Sequence, residues 1–134
     1  MTRTVLVADD QEDNRIIFAT ILQYGGFEVV YAEDGSEAVA KARLHGPDLI
    51  LMDLRMPRMD GWAAIGELQR DASTVDIPII ALSAHGTSDD IVREARQAGC
   101  VGYLGKPVNP RLLLSAVERC LEKSAGVAWI DLIT

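Results

Sequence analysis

The chain has 134 residues, with 13 Lys and Arg against 20 Asp and Glu, a formal net charge of −7. At roughly 100–200 residues per domain this length gives one domain, and 49% hydrophobic against 25% charged residues suits a core that needs neither disulfides nor a structural metal. That apolar content excludes intrinsic disorder, and the acidic excess excludes unaided nucleic-acid binding, which needs cations to release phosphate counterions.

Short apolar runs alternate with longer amphipathic ones. Thr4–Ala8 (TVLVA) predicts the first strand, entered from Met1-Thr2-Arg3 without the charged start, apolar core and cleavage site of a signal peptide. Gln11–Tyr24 predicts a helix ended by Gly25-Gly26, and Phe27–Tyr31 (FEVVY) a second strand. Asp34-Gly35-Ser36-Glu37 is a capping-box-like start to a helix that Gly46-Pro47 stops. Asp48–Met52 (DLILM) predicts a third strand, Trp62–Asp71 a helix and Ile77–Leu82 (IPIIAL) a fourth strand. Thr87-Ser88-Asp89-Asp90 can cap a helix closed by Gly99, and Val101–Leu104 (VGYL) follows as the fifth strand. Asn109-Pro110 supplies an N-cap and a first-turn proline, ahead of Leu113, Ala116, Val117, Cys120 and Leu121 on one helix face. Cys100 and Cys120 lack metal-ligand spacing and read as small buried hydrophobes of a reducing compartment. No apolar run approaches the ~18 residues of a membrane span, so a cytoplasmic chain without membrane insertion is expected.

Near-continuous apolar strands that alternate with helices imply parallel strands joined by right-handed crossovers, hence an open three-layer α/β sheet. Ligands of such sheets bind beyond the carboxyl ends of the strands. There the sequence places Asp9 and Asp10 after the first strand and Asp53 after the third. Ser83, followed by the small Ala84, comes after the fourth, and Lys106-Pro107, whose peptide bond can be cis, just past the fifth. Three close carboxylates call for protonation or a cation. Oxygen-only ligands without His or Cys favour a hard ion such as Mg²⁺ over zinc. With a lysine as point charge and a serine hydroxyl as donor, the set suits phosphoryl transfer to an Asp nucleophile.

Over residues 3–122 the chain resembles the receiver domain of two-component response regulators. The resemblance rests on Val5-Leu6-Val7-Ala8-Asp9-Asp10, Leu49 to Pro57 (LILMDLRMP) with Asp60-Gly61, Ala81-Leu82-Ser83-Ala84, and Tyr103-Leu104-Gly105-Lys106-Pro107. It implies a flavodoxin-like (βα)5 fold, a five-stranded parallel sheet in order 2-1-3-4-5 with helices on both faces. Asp53 is then the phosphoacceptor, fed by a phosphohistidine or a small donor such as acetyl phosphate. Asp10 and Asp53 ligate Mg²⁺ by side chain, Asp9 mainly through water and Arg55 by its backbone carbonyl. Lys106 pairs with the phosphoryl group, Ser83 swings toward it, and Tyr103 turns inward as Ser83 vacates space. Phosphorylation adds about −1.5 to −2 charge, which biases a pre-existing equilibrium and reshapes the surface around Thr87–Leu121. Arg55 and His85, each two residues past a site residue, are candidates for slowing autodephosphorylation, or else plain solvated loop residues.

The expected partners are a histidine kinase or histidine phosphotransfer protein and a downstream protein target. Asp13, Asn14 and Ile17 of the first helix are the candidate docking residues, although Ile17 can equally belong to the core. Residues 1–123 form the receiver domain, and past about residue 122 there is no room for an output domain, so action through partners is expected. The apolar segment 124–134, with Trp129 and Ile130, reads as a tail folding back, a homodimer contact, or the start of a removed segment. The alternative from another class is an Mg-dependent phosphohydrolase with Asp53 as covalent nucleophile. Against it, the usual second acid two residues on is Arg55, and no cap region encloses a substrate. A nucleotide- or flavin-binding module lacks its Gly-rich loop after the first strand.

Overall fold

The computed structural model describes residues 2–84, 88–122 and 129–130. Strands β1 (Thr4–Ala8), β2 (Glu28–Ala32), β3 (Leu49–Asp53), β4 (Ile79–Ser83) and β5 (Gly102–Gly105) alternate with helices α1 (Glu12–Tyr24), α2 (Gly35–His45), α3 (Gly61–Arg70), α4 (Asp89–Gln97) and α5 (Pro110–Glu122). All strand pairs are parallel and the order is β2-β1-β3-β4-β5. The strand order reverses between β1 and β3, which opens a crevice at their carboxyl ends.

Strand residues alternate between two apolar clusters. Val5, Val7, Leu49, Leu51, Ile80 and Leu82 pack with Phe18 and Leu22 of α1 and Leu113 and Val117 of α5. Leu6, Ala8, Ile50, Met52, Ile79 and Ala81 pack with Val39 of α2, Ile65 and Leu68 of α3 and Ala95 of α4. Both faces of β3 and β4 are therefore buried, which is why their sequences read as continuous apolar runs.

The caps follow the expected chemistry with one variation. Asp34 accepts the Glu37 N–H at 2.8 Å, but Glu37 reaches back to the N–H of Glu33 at 3.0 Å rather than to the cap residue. Gly46 closes α2 at φ 54°, a left-handed conformation that glycine adopts at no steric cost. Asn109 accepts the N–H groups of Arg111 and Leu112 ahead of α5, and Ser88 caps α4 by accepting the Ile91 N–H.

Four strands differ at both ends from the sequence expectation. β2, β3, β4 and β5 each run one residue further than their apolar runs, and each begins later. Asp53 and Ser83 are thus the last paired residues of their strands, matched to Leu82 and Gly105, rather than the first residues beyond them. Backbone pairing continues past the point where the side chains turn polar. At the other ends, Asp48 takes the Thr4 N–H with its side chain at 2.8 Å, and Ile77 is tied into a turn by its N–H to the Thr74 carbonyl. α3 likewise spans Gly61–Arg70, with Asp60 as its cap.

Candidate functional site

Asp9 leaves β1 fully buried and is held from several sides. Its Oδ1 accepts the Gln11 N–H at 2.9 Å and lies 3.5 Å from the Asn14 amide nitrogen, while Arg15 donates to its carbonyl oxygen at 2.8 Å. Asp53, 5% exposed at the end of β3, accepts the Arg55 N–H on Oδ1 at 3.1 Å. Lys106 spans the two carboxylates, donating from Nζ to Asp9 Oδ2 at 2.7 Å and to Asp53 Oδ2 at 3.0 Å. It enters from the loop after β5, where the Lys106–Pro107 bond is cis.

Asp10 completes an acidic cluster. Carboxylate oxygens of Asp9, Asp10 and Asp53 lie within 4.8 Å of one another, with Asp9 and Asp53 buried and Asp10 not. Burial pushes the Asp53 carboxyl above its ordinary value; the Arg55 N–H and Lys106 pull the other way, and the Asp9 charge adds to the rise. Burial pulls the Lys106 ammonium down, but its bonds to Asp9 and Asp53 more than offset this and hold it above the ordinary lysine value. One ammonium thus faces three carboxyl groups. An all-oxygen set with a deficit of positive charge fits a hard divalent cation better than it fits zinc.

Ser83 ends β4 on the same sheet edge, buried, with its side chain hydrogen-bonded to that of Tyr103 on β5. Tyr103 is 0% exposed, and burial raises its phenol pKa against the effect of that bond. Its inward placement accompanies a Ser83 that has not left it. Arg55 is exposed and, with Trp62, lines two open grooves. One of about 580 Å³ is shared by Asp10, Pro57, Asp60 and Trp62, and another of about 300 Å³ by Ser83, Asp90 and Glu94. His85 and Thr87 lie outside the described residues. On α1, Asp13 is exposed and Ile17 is 54% exposed, so Ile17 is not core, whereas Asn14 is half-buried against Asp9.

Several supporting residues were not anticipated. Arg15 holds the Asp9 backbone and pairs with Glu33 at 3.4 Å. Arg58, at φ 63°, places its guanidinium on Asp34 at 2.7 Å, and the Gly35 N–H donates to the Met59 carbonyl at 2.7 Å. These bonds fasten the loop after β3 to the start of α2. The Glu37 N–H and the Arg58 side chain hold the Asp34 carboxyl below its usual range. Gly61 seats the start of α3 on the acceptor's own peptide, since a Cβ there would run into the Asp53 carbonyl oxygen. Two sequence signals touched these residues, Asp34-Gly35-Ser36-Glu37 and Asp60-Gly61, and each marked a helix start without revealing what lies against it.

A family model described as the response regulator receiver domain matches residues 5–118. Transcriptional regulatory protein PdtaR of Mycobacterium tuberculosis is 42% identical over 130 residues, 96% of this chain and 62% of PdtaR, so the chain spans less than two thirds of that relative. Polar-differentiation response regulator DivK of Brucella abortus is 37% identical over 114 residues, 84% of this chain and 92% of DivK. The solved structure of chemotaxis response regulator CheY4 of Vibrio cholerae matches with a TM-score of 0.83 at 34% identity, covering 89% of this chain and 98% of that one.

Proposed function

The chain belongs to the response regulator receiver domain family, and from that premise we propose that it is a phosphoacceptor switch with Asp53 as the acceptor. The observation that carries this reading is the meeting of buried Asp53 with Asp9, Asp10 and a lysine that bridges two of them. Burial raises the basicity of the Asp53 carboxylate and so favours it as a nucleophile. Its oxygen attacks the phosphorus of a phosphohistidine on a histidine kinase or phosphotransfer protein. The O–P bond forms as the P–N bond breaks, and the departing imidazole nitrogen takes up a proton.

Asp9, Asp10 and Asp53, with the Arg55 carbonyl, would hold Mg²⁺, which supplies positive charge to the phosphoryl oxygens. Lys106 transfers one of its donors from a carboxylate to a phosphoryl oxygen. Ser83 donates its hydroxyl there too, which requires it to give up Tyr103. Loop arrangements that permit those bonds gain population, and the surface from Ser88 to Leu121 carries the change to a downstream protein target. The exposed Asp13 and Ile17 suit docking of the donor's helices. No helix among the described residues is long and apolar enough to cross a membrane. The phosphohydrolase alternative is not favoured by the family assignment.

Incubation with Mg²⁺ and acetyl phosphate, followed by intact mass measurement, tests the reading. One added phosphoryl group is expected on the wild type and none on Asp53→Asn, with chelation of Mg²⁺ suppressing the reaction. Multiple turnover of a phosphoester would overturn it. Arg55, exposed on both grooves beside the acceptor, obstructs the water that attacks the acyl phosphate. Arg55→Asn is therefore expected to speed autodephosphorylation several-fold, measured as decay of the phosphorylated mass after donor removal; an unchanged decay would remove Arg55 from that role.

A further inference from the structure

Trp129 and Ile130 lie next to each other in the chain but on opposite sides of the sheet. Ile130 is 7% exposed and belongs to the apolar cluster under α1 and α5, whereas Trp129 packs against the cluster under α2, α3 and α4. Neighbouring residues can reach both clusters only where the chain crosses the rim of the sheet. The place is fixed by the Ile130 N–H, which donates to the Val101 carbonyl at 2.7 Å. Val101 immediately precedes β5, an edge strand, and its own N–H donates to the carbonyl of Ile79, the first residue of β4.

We propose that the rim at the entry to β5 is a docking site for an extended aromatic–aliphatic pair, and that the chain's own Trp129–Ile130 is its resident ligand in cis. The chemistry follows from the contacts. Consecutive side chains of an extended segment point to opposite faces, so one apolar residue fills each side while the backbone amide between them satisfies the Val101 carbonyl. That is strand-like recognition, in which a main-chain bond sets position and alternate side chains set selectivity. Cys100 and Val101, 5% and 9% exposed, enter β5 at this rim. A protein partner seeking the same rim must present a similar pair and displace the tail, whose short tether keeps it at high effective concentration. The site lies at the amino end of β5, opposite the sheet edge that carries Asp53, and does not depend on the phosphoacceptor reading.

A fluorescein-labelled peptide of residues 124–134 provides the test, titrated into the full chain and into the double variant Trp129→Ala, Ile130→Asp. Binding to the variant at least about ten-fold tighter than to the wild type is expected, because the tether competes only in the wild type. Equal binding to both, or binding to neither, would overturn the proposal. Light scattering adds a second arm: a monomeric wild type is expected, and a dimer that exchanges tails would overturn occupancy in cis. Hydrogen exchange on the unmodified chain guards against a variant that folds poorly. The Ile130 amide should exchange at least ten-fold slower than an unstructured amide, and exchange at the unstructured rate would defeat the assignment.

Discussion

Lys106→Met is expected to lower the stability of the metal-free chain by about 3–5 kcal/mol, the usual cost of removing one partner from a buried ion pair. The size of the effect comes from what is left behind. Asp9 is 0% exposed and Asp53 5%, so neither carboxylate can recover its hydration when the ammonium is gone. Their oxygens stay within 4.8 Å of each other and of Asp10, and the like charges then face each other without compensation. The methionine fills most of the aliphatic volume, so the loss is electrostatic rather than a cavity. Urea midpoints measured with a chelator present read it directly. Mg²⁺ should stabilise Lys106→Met more than it stabilises the wild type, since a cation then replaces the missing charge.

Asp53→Asn should move stability the other way, leaving it equal to or above that of the wild type at neutral pH. Burial raises the Asp53 pKa in the folded state, so ionisation of this group opposes folding above the unfolded pKa and removing the charge relieves that opposition. In the double variant, the loss from Lys106→Met should shrink. A Lys106→Met loss below about 1 kcal/mol would place the pair in the range of exposed ion pairs, and the site would then be too well hydrated for this account.

The residues that bear charge in this cluster were legible because chemistry and topology constrain them together. Asp9, Asp53, Ser83 and Lys106 interrupt apolar runs whose parallel pairing sends all of them to one edge. What holds them there was not legible. Arg58 reaches Asp34 across 24 positions of sequence, and nothing in the composition of either segment marks the pairing. Arg15 reads as one cation among several on α1 until the backbone of Asp9 is found under it. Strand ends were misplaced by a residue because apolarity reports the side chain's surroundings, whereas strand extent is set by main-chain bonds that Asp53 and Ser83 make as well as any leucine. For the segment after residue 123, apolar content showed that Trp129 and Ile130 need cover but could not say whose. The Ile130 N–H bond to the Val101 carbonyl of the same chain is the contact on which the proposed occupancy in cis rests.

Gly61 and Gly66 stand on the same helix, and alanine at each is expected to act with opposite sign. At Gly61 a Cβ would collide with the Asp53 carbonyl oxygen, come to 2.8 Å from the Leu54 Cα and 3.0 Å from the Asp53 carbonyl carbon. All three atoms are main chain of a central strand and its exit, paired to Leu82, so none can yield as a flexible side chain would. Overpacking costs about 1–3 kcal/mol, and main-chain atoms that cannot yield put Gly61→Ala toward the upper end. At Gly66 the nearest atom is a guanidinium nitrogen of Arg70 at 3.2 Å, the far end of a side chain that can swing away. There the helix gains about 1 kcal/mol from the higher propensity of alanine. Thermal midpoints of the two variants should therefore fall on either side of the wild type. The difference also bears on function. Relief of the Gly61→Ala clash must move either α3 or the Asp53 peptide, and the Gly61 N–H bond to the Leu54 carbonyl at 3.2 Å couples the two. Phosphorylation of Gly61→Ala by acetyl phosphate should slow at temperatures where the variant is still folded, while Gly66→Ala keeps the wild-type rate. A Gly61→Ala protein of unchanged stability and unchanged rate would mean that α3 is not seated on the acceptor's peptide at all.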